Sequence, residues 1–182
     1  MKITTTAIKG LLIIEPRIFN DDRGYFYESY NKSKFIEAGI TVDFVQDNQS
    51  LSQKGAVRGL HGQADPFAQG KLVRVINGRV LDVAVDIRKG SPTYGKHVSI
   101  ELSADSKLQF WIPAGFLHGF ATLEDNTIFT YKVNNYYDKA SEIGVIWNDA
   151  TLNIDWGIKQ SEVLLSPKDE LLPAFNDFKS PF

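Results

Sequence analysis

The chain has 182 residues, 43% hydrophobic and 23% charged, with a formal net charge of −2; this excludes a mainly disordered chain, and one domain spanning residues 1–182 is expected. No apolar run approaches the ~18 residues of a membrane span, and the slightly acidic balance does not suit a whole-surface nucleic-acid binder. The absence of cysteine excludes disulfides, thiol catalysis and Cys-ligated zinc; no secretory signal is expected within the first ten residues, and a cytoplasmic location is permitted.

Leu11–Ile14 and Tyr25–Tyr30 read as short extended pieces. Lys32–Ala38 reads as a short helix closed by Gly39, because glycine tolerates the left-handed cap conformation. Val42–Gln46 looks extended again. Lys71–Ile76 and Arg79–Ile87 flank Asn77-Gly78, which predicts a hairpin through a type I′ turn. In the second of these strands Leu81, Val83, Val85 and Ile87 share one face, and Val80, Asp82, Ala84 and Asp86 share the other, a period of two.

His97–Leu102 alternates in the same way. Gln109–Ile112 and Phe116–Leu123 flank the turn Pro113-Ala114-Gly115, and Thr127–Asn134 follows. A second short helix is expected after Ser161, and the stretch from Ser166 reads as a tail packed on the core. Many short strands with regular turns predict an all-β sandwich or barrel.

Five clusters carry possible chemistry. Arg58-Gly59-Leu60-His61-Gly62-Gln63 fits a histidine satisfied inside a β core as well as a reactive imidazole. Lys71 after Gln69-Gly70 is in a place usually taken by a solvated strand end. Pro113-x-Gly115-x-x-His118 aims a histidine along a strand. Tyr131 suits a packing role with a satisfied hydroxyl, and Ser166-Pro167-Lys168-Asp169 alone is a turn. No Gly-rich phosphate loop, nucleophile elbow or HExxH pattern is present.

Taken in order, these clusters resemble the dTDP-4-dehydrorhamnose 3,5-epimerase family, cupin-type sugar-nucleotide epimerases. The resemblance also includes Asp22-Arg23-Gly24-Tyr25-Phe26-Tyr27-Glu28-Ser29-Tyr30, Phe44-Val45-Gln46-Asp47-Asn48, Asp82-Val83-Ala84-Val85-Asp86-Ile87-Arg88 and Trp147-Asn148-Asp149. It implies a cupin jelly-roll β-sandwich with a few short helices, acting on a nucleotide 4-keto-6-deoxysugar. It implies no cofactor, no metal, and a homodimer in which contacts near Arg23 and Glu28 come from the neighbouring subunit.

The resemblance assigns roles residue by residue. His61 matches the base, suited by an unperturbed pKa of ~6.5. Asp169 matches the carboxylate that fixes its tautomer. Lys71 matches the cation beside the developing oxyanion, and Tyr131 the proton donor on the opposite face. His118, Arg23, Glu28, Gln46, Asp47, Asn48, Arg58, Glu142 and Lys168 match positions that contact substrate.

Two departures stand out. The family commonly carries an aromatic residue directly after the base histidine and an alanine before the second histidine; this chain has Gly62 and Leu117. The missing ring is expected to widen the pocket or loosen the substrate. Three rivals follow: epimerisation at C3 or C5 alone or on a related nucleotide 4-keto-6-deoxysugar, a metal-dependent cupin using His61 and His118, and a sugar-nucleotide binder without turnover. The metal reading is opposed by His-Gly-Gln in place of His-x-His and by a lysine in the same pocket.

Overall fold

The computed structural model describes residues 1–182. Its strands are β1 (Lys2–Thr5), β2 (Leu12–Glu15), β3 (Phe19–Asp21), β4 (Gly24–Phe26), β5 (Gln46–Ser52), β6 (Val57–Gln63), β7 (Lys71–Asn77), β8 (Arg79–Asp86), β9 (His97–Ser103), β10 (Gln109–Ile112), β11 (Phe116–Thr122), β12 (Thr127–Val133) and β13 (Glu142–Gly144). One helix, α1 (Lys32–Glu37), precedes β5. A six-stranded antiparallel sheet has the order β1-β2-β10-β7-β12-β5, and a five-stranded one the order β13-β6-β11-β8-β9. The strands β3 and β4 pair only with each other. This is the all-β sandwich expected from the strand pattern, in the cupin-type form implied by the family resemblance. No helix is long and apolar enough to cross a membrane.

From β5 onward the chain changes sheet at almost every connection. This corrects the hairpin expected at Asn77-Gly78. β7 pairs with β10 and β12, whereas β8 pairs with β11 and β9. Gly78 takes φ +78°, but Asn77 does not take the positive φ that a type I′ turn requires at both central positions. A Cβ at Gly78 would lie 2.3 Å from the Thr127 Oγ1, so glycine is needed where the chain crosses from one sheet to the other.

Three apolar layers hold the two sheets. Between them, Val73, Val75, Phe110 and Phe129 meet Val80, Ala84, Leu102, Phe116 and Phe120. Outside the five-stranded sheet, Val57, Leu60, Val83, Val85 and Leu117 pack under Trp147, Leu152, Trp156 and Phe175 from the C-terminal third. Outside the six-stranded sheet, Leu72 and Trp111 are covered by Phe35 and Ile40. The period of two in β8 is therefore real, but both of its faces are buried. Phe35 enters its layer from α1, which Asn31 caps by accepting from the Lys34 N–H at 3.3 Å. Gly39, at φ +84°, ends that turn.

The expected strand at Val42–Gln46 begins only at Gln46 and runs to Ser52. Its sequence, Gln-Asp-Asn-Gln-Ser-Leu-Ser, has no apolar alternation. The helix after Ser161 is a single 3-10 turn at Gln160–Glu162, and a second lies at Asp169–Leu171. The C-terminal stretch packs on the core as expected, with Phe175, Phe178 and Phe182 against the outer layer.

Candidate active site

A cavity of about 690 Å³ opens between the sheets, within the size range of small-ligand sites. Its walls come from both sheets. Arg58 and His61 stand on β6 and His118 on β11 of the five-stranded sheet. Asn48 on β5, Lys71 on β7 and Tyr131 on β12 belong to the facing sheet. Lys168 and Asp169 line the cavity from the C-terminal segment.

Arg58 and His61 are three residues apart, yet both line the cavity. A regular strand alternates its faces, so positions i and i+3 should diverge. The pairing of β6 with β11 slips between His118↔His61 and Phe120↔Arg58, inserting one extra residue at Gly59-Leu60. Gly59 takes φ +128°, and a Cβ there would lie 2.5 Å from the Gly119 Cα. The bulge restores the phase, turning Leu60 to the outer layer and His61 to the cavity.

His61 Nε2 lies 2.6 Å from Asp169 Oδ1, with the imidazole partly exposed and the carboxylate buried. Burial pushes the Asp169 carboxyl up, but bonds from His61 and Ser166 and the charge of Lys168 outweigh it and hold it below the ordinary range. The Ser166 hydroxyl and carbonyl both accept from the Asp169 N–H, fixing the 3-10 turn that carries the carboxylate.

A second histidine–carboxylate pair was not singled out by motif. His118 Nε2 lies 3.0 and 2.9 Å from the two oxygens of Asp82, and both side chains are buried. Burial pushes His118 down and Asp82 up, each opposed by the other's charge. The available signal was Asp82 on the same strand face as Val80 and Ala84, where an acid needs a partner.

Lys71 is half-buried in the cavity wall. Desolvation lowers its ammonium pKa to about 8, against the attraction of Asp82 and Glu142. Its Nζ lies 6.0 Å from the centroid of the Tyr131 ring. Burial raises the Tyr131 phenol, opposed by Arg58. Arg58 is itself steered by donating Nε–H to the Ser52 hydroxyl at 3.1 Å.

Other matched residues fall outside these walls. Gln46 donates to Asn48 at 2.9 Å along β5. Asp47 points to the opposite face of that sheet, where Lys132 donates to it at 2.9 Å. Glu142, on β13, is paired with Lys168 and accepts from the Tyr137 hydroxyl at 3.1 Å. Arg23 lies on the separate β3–β4 hairpin, 89% exposed and paired with Asp21, while Glu28 pairs with Lys34. Neither lines the cavity in this chain.

The Gly62 departure does not act on the pocket as expected. Gly62 faces away from the cavity, and a Cβ there would meet Leu117 Cδ2 at 3.3 Å and Ile143 Cγ1 at 3.4 Å. Leu117 therefore occupies space that a larger residue 62 would need, and the two departures offset each other on the outer face of the sheet. The metal reading lacks a donor set: no three His, Cys, Asp or Glu side chains gather to hold an ion, and both cavity histidines spend Nε2 on a carboxylate.

The sequence profile described as dTDP-4-dehydrorhamnose 3,5-epimerase matches residues 5–177. The chain is 54% identical over 170 residues to the dTDP-4-dehydrorhamnose 3,5-epimerase of Shigella flexneri, covering 93% of each chain. It superposes with TM-score 0.94, at 50% identity, on an epimerase from Legionella pneumophila solved with dTDP-4-keto-L-rhamnose; the match covers 98% of this chain and 94% of that one. A 3′-monoepimerase from Streptomyces bikiniensis, solved with dTDP-quinovose, is similar at 33% identity and TM-score 0.87, over 93% of this chain and 85% of that one. Sequence and backbone agree over nearly the whole length, and the chain belongs to the dTDP-4-dehydrorhamnose 3,5-epimerase family of isomerases.

Proposed function

We propose that this chain, acting as one epimerase domain, inverts C3 and C5 of dTDP-4-dehydro-6-deoxy-D-glucose to give dTDP-4-dehydro-L-rhamnose. The observation that carries the reading is the division of the cavity: His61 with Asp169 on one side, Tyr131 with Lys71 on the facing sheet. The C4 ketone acidifies the protons on its neighbouring carbons. Neutral His61 takes such a proton, and Asp169 steadies the imidazolium formed. Lys71 stabilises the negative charge that collects on O4 of the enolate. Tyr131, protonated at neutral pH, returns a proton to the opposite face of the carbon. No electrons leave the substrate, and each inversion exchanges one substrate proton for one from the enzyme.

Arg58 and Lys168 supply cations for the diphosphate, Arg58 with a fork that can bond two oxygens. The local charge explains how a chain of net charge −2 holds an anion. Two intact histidine–carboxylate pairs argue against a binder without turnover, which needs no acid–base set.

The functional unit in this reading is a homodimer, in a cytoplasmic setting compatible with the cysteine-free composition. The isolated β3–β4 hairpin exposes Phe19, Tyr25 and Phe26 beside Arg23. Two-stranded hairpins are marginal alone, and exposed aromatic clusters mark contact surfaces. A second copy that takes this hairpin would gain Arg23 and Glu28 for its own cavity. Sedimentation at micromolar concentration should give a dimer; a monomer with full activity would remove this element.

The test of the reaction is NMR of the sugar after incubation with dTDP-4-keto-6-deoxyglucose in deuterated water. Inversion with deuterium at both C3 and C5 is expected. Deuterium and inversion at one carbon alone would make the chain a monoepimerase.

A further inference from the structure

Asp149 lies outside the cavity, in the Trp147-Asn148-Asp149 segment to which the proposed reaction assigns no role. It is 7% exposed, yet no lysine, arginine or histidine pairs with it. Its carboxylate is filled by backbone instead. Oδ1 accepts from the Thr151 and Leu152 N–H groups, each at 2.9 Å, and Oδ2 accepts from the Phe175 N–H at 2.8 Å. The first two bonds close a local turn. The third reaches the C-terminal segment that carries Asp169.

That segment is held at both ends. Leu164 donates to the Gly55 carbonyl at 2.9 Å and accepts from the Val57 N–H at 3.0 Å. Further along, Pro173 accepts from the Ile146 N–H at 2.9 Å, and Phe175 is bonded to Asp149. Asp169 stands between these two anchors. Its contact with His61 is therefore made from a strap anchored at both ends, on the 3-10 turn held by Ser166, and not from a strand of either sheet.

We propose that Asp149 is a positioning residue for the reaction: its carboxylate fixes the far end of the strap so that Asp169 stays against His61. The chemistry demands a carboxylate. Two oxygens must face three N–H donors, and an amide of the same shape would turn its NH₂ toward one set of them. Asp149→Asn thus removes one anchor with almost no change of volume. The proposal rests on the reading of Asp169 as the partner of His61, and the experiment separates the two.

Turnover is measured for Asp149→Asn, Asp169→Asn and the double variant, well below their melting temperatures. A small misplacement by a remote change can cost up to about 10²-fold. Asp149→Asn should therefore lose on the order of tenfold or more in kcat with KM little changed. The double variant should be no slower than Asp169→Asn alone, because both act through one contact. Losses that multiply would overturn the positioning role and leave Asp149 merely structural. Wild-type kcat in Asp149→Asn, with Asp169→Asn impaired, would overturn it as well. Wild-type kcat in Asp169→Asn would overturn the pairing of Asp169 with His61, and this proposal with it. Should Asp149→Asn not fold, amide exchange of the wild type supplies the second test: a slow Phe175 N–H supports the anchor, and exchange as fast as in an open loop overturns it.

Discussion

Asp169 meets His61 at 2.6 Å from 108 residues further along the chain. The imidazole rides on a central strand, and the carboxylate on a 3-10 turn bonded to Ser166. Asp169→Asn keeps the shape but cannot stabilise an imidazolium. Its kcat should fall about 10²-fold or more, the usual scale of an acid–base contribution, with KM within a few-fold. Steady-state kinetics on the ketosugar check this.

Lys71 gives opposite pH dependences for activity and stability. The ammonium is present below about 8 and lost above it, so kcat/KM should decline as pH rises through that value. The unfolded lysine keeps its proton to about 10.5. Between those two values the unfolded state binds more protons, so the Lys71 contribution to stability rises with pH. Lys71→Met should remove the alkaline limb along with most activity. It should also melt higher than the wild type at pH 7, with the gap closing above pH 8. A pH profile and thermal melts at several pH values test both halves.

Tyr131→Phe removes one proton and little volume. Proton loss from the substrate, which His61 begins, should continue, while inversion should fall at least about tenfold, since the donor for the opposite face is gone. Comparing solvent-deuterium uptake with product stereochemistry separates the two. Equal rates of inversion in variant and wild type would remove Tyr131 from the mechanism.

Gly62 and Leu117 should behave as a coupled pair. Gly62→Phe alone forces a ring onto Leu117 Cδ2 and should cost about 1–3 kcal/mol by overpacking. Adding Leu117→Ala should recover much of that loss. Denaturant unfolding of the two single variants and the double completes the cycle. KM should shift little in the double variant, because both residues face away from the cavity.

Much of the architecture was legible because strand periodicity survives burial. Gln109–Ile112 was read with its observed bounds, and Phe116–Leu123 and Thr127–Asn134 to within one residue. What failed was pairing. Asn77-Gly78 is a strong local turn signal, but hydrogen-bond partners are decided by the layers into which each strand packs. β5 was hidden because Gln46, Asn48 and Ser50 alternate with exposed residues, leaving no apolar stripe. In the site, His61, Lys71, His118, Tyr131 and Asp169 all stood in visible clusters, but their roles came through family resemblance: alone, Lys71 read as a strand end, Tyr131 as packing and Asp169 as a turn, and spacing cannot show a contact across 108 residues. The Gly59 bulge and the outward turn of Gly62 depend on register, which a single strand does not encode.

The role of His61 as the base is tested most directly by solvent-deuterium uptake at C3 and C5 in His61→Ala beside the wild type, with folding checked by the melting transition. Uptake should be rapid in the wild type and fall at least about 10²-fold in a folded His61→Ala variant. Uptake at the wild-type rate in that variant would contradict that role.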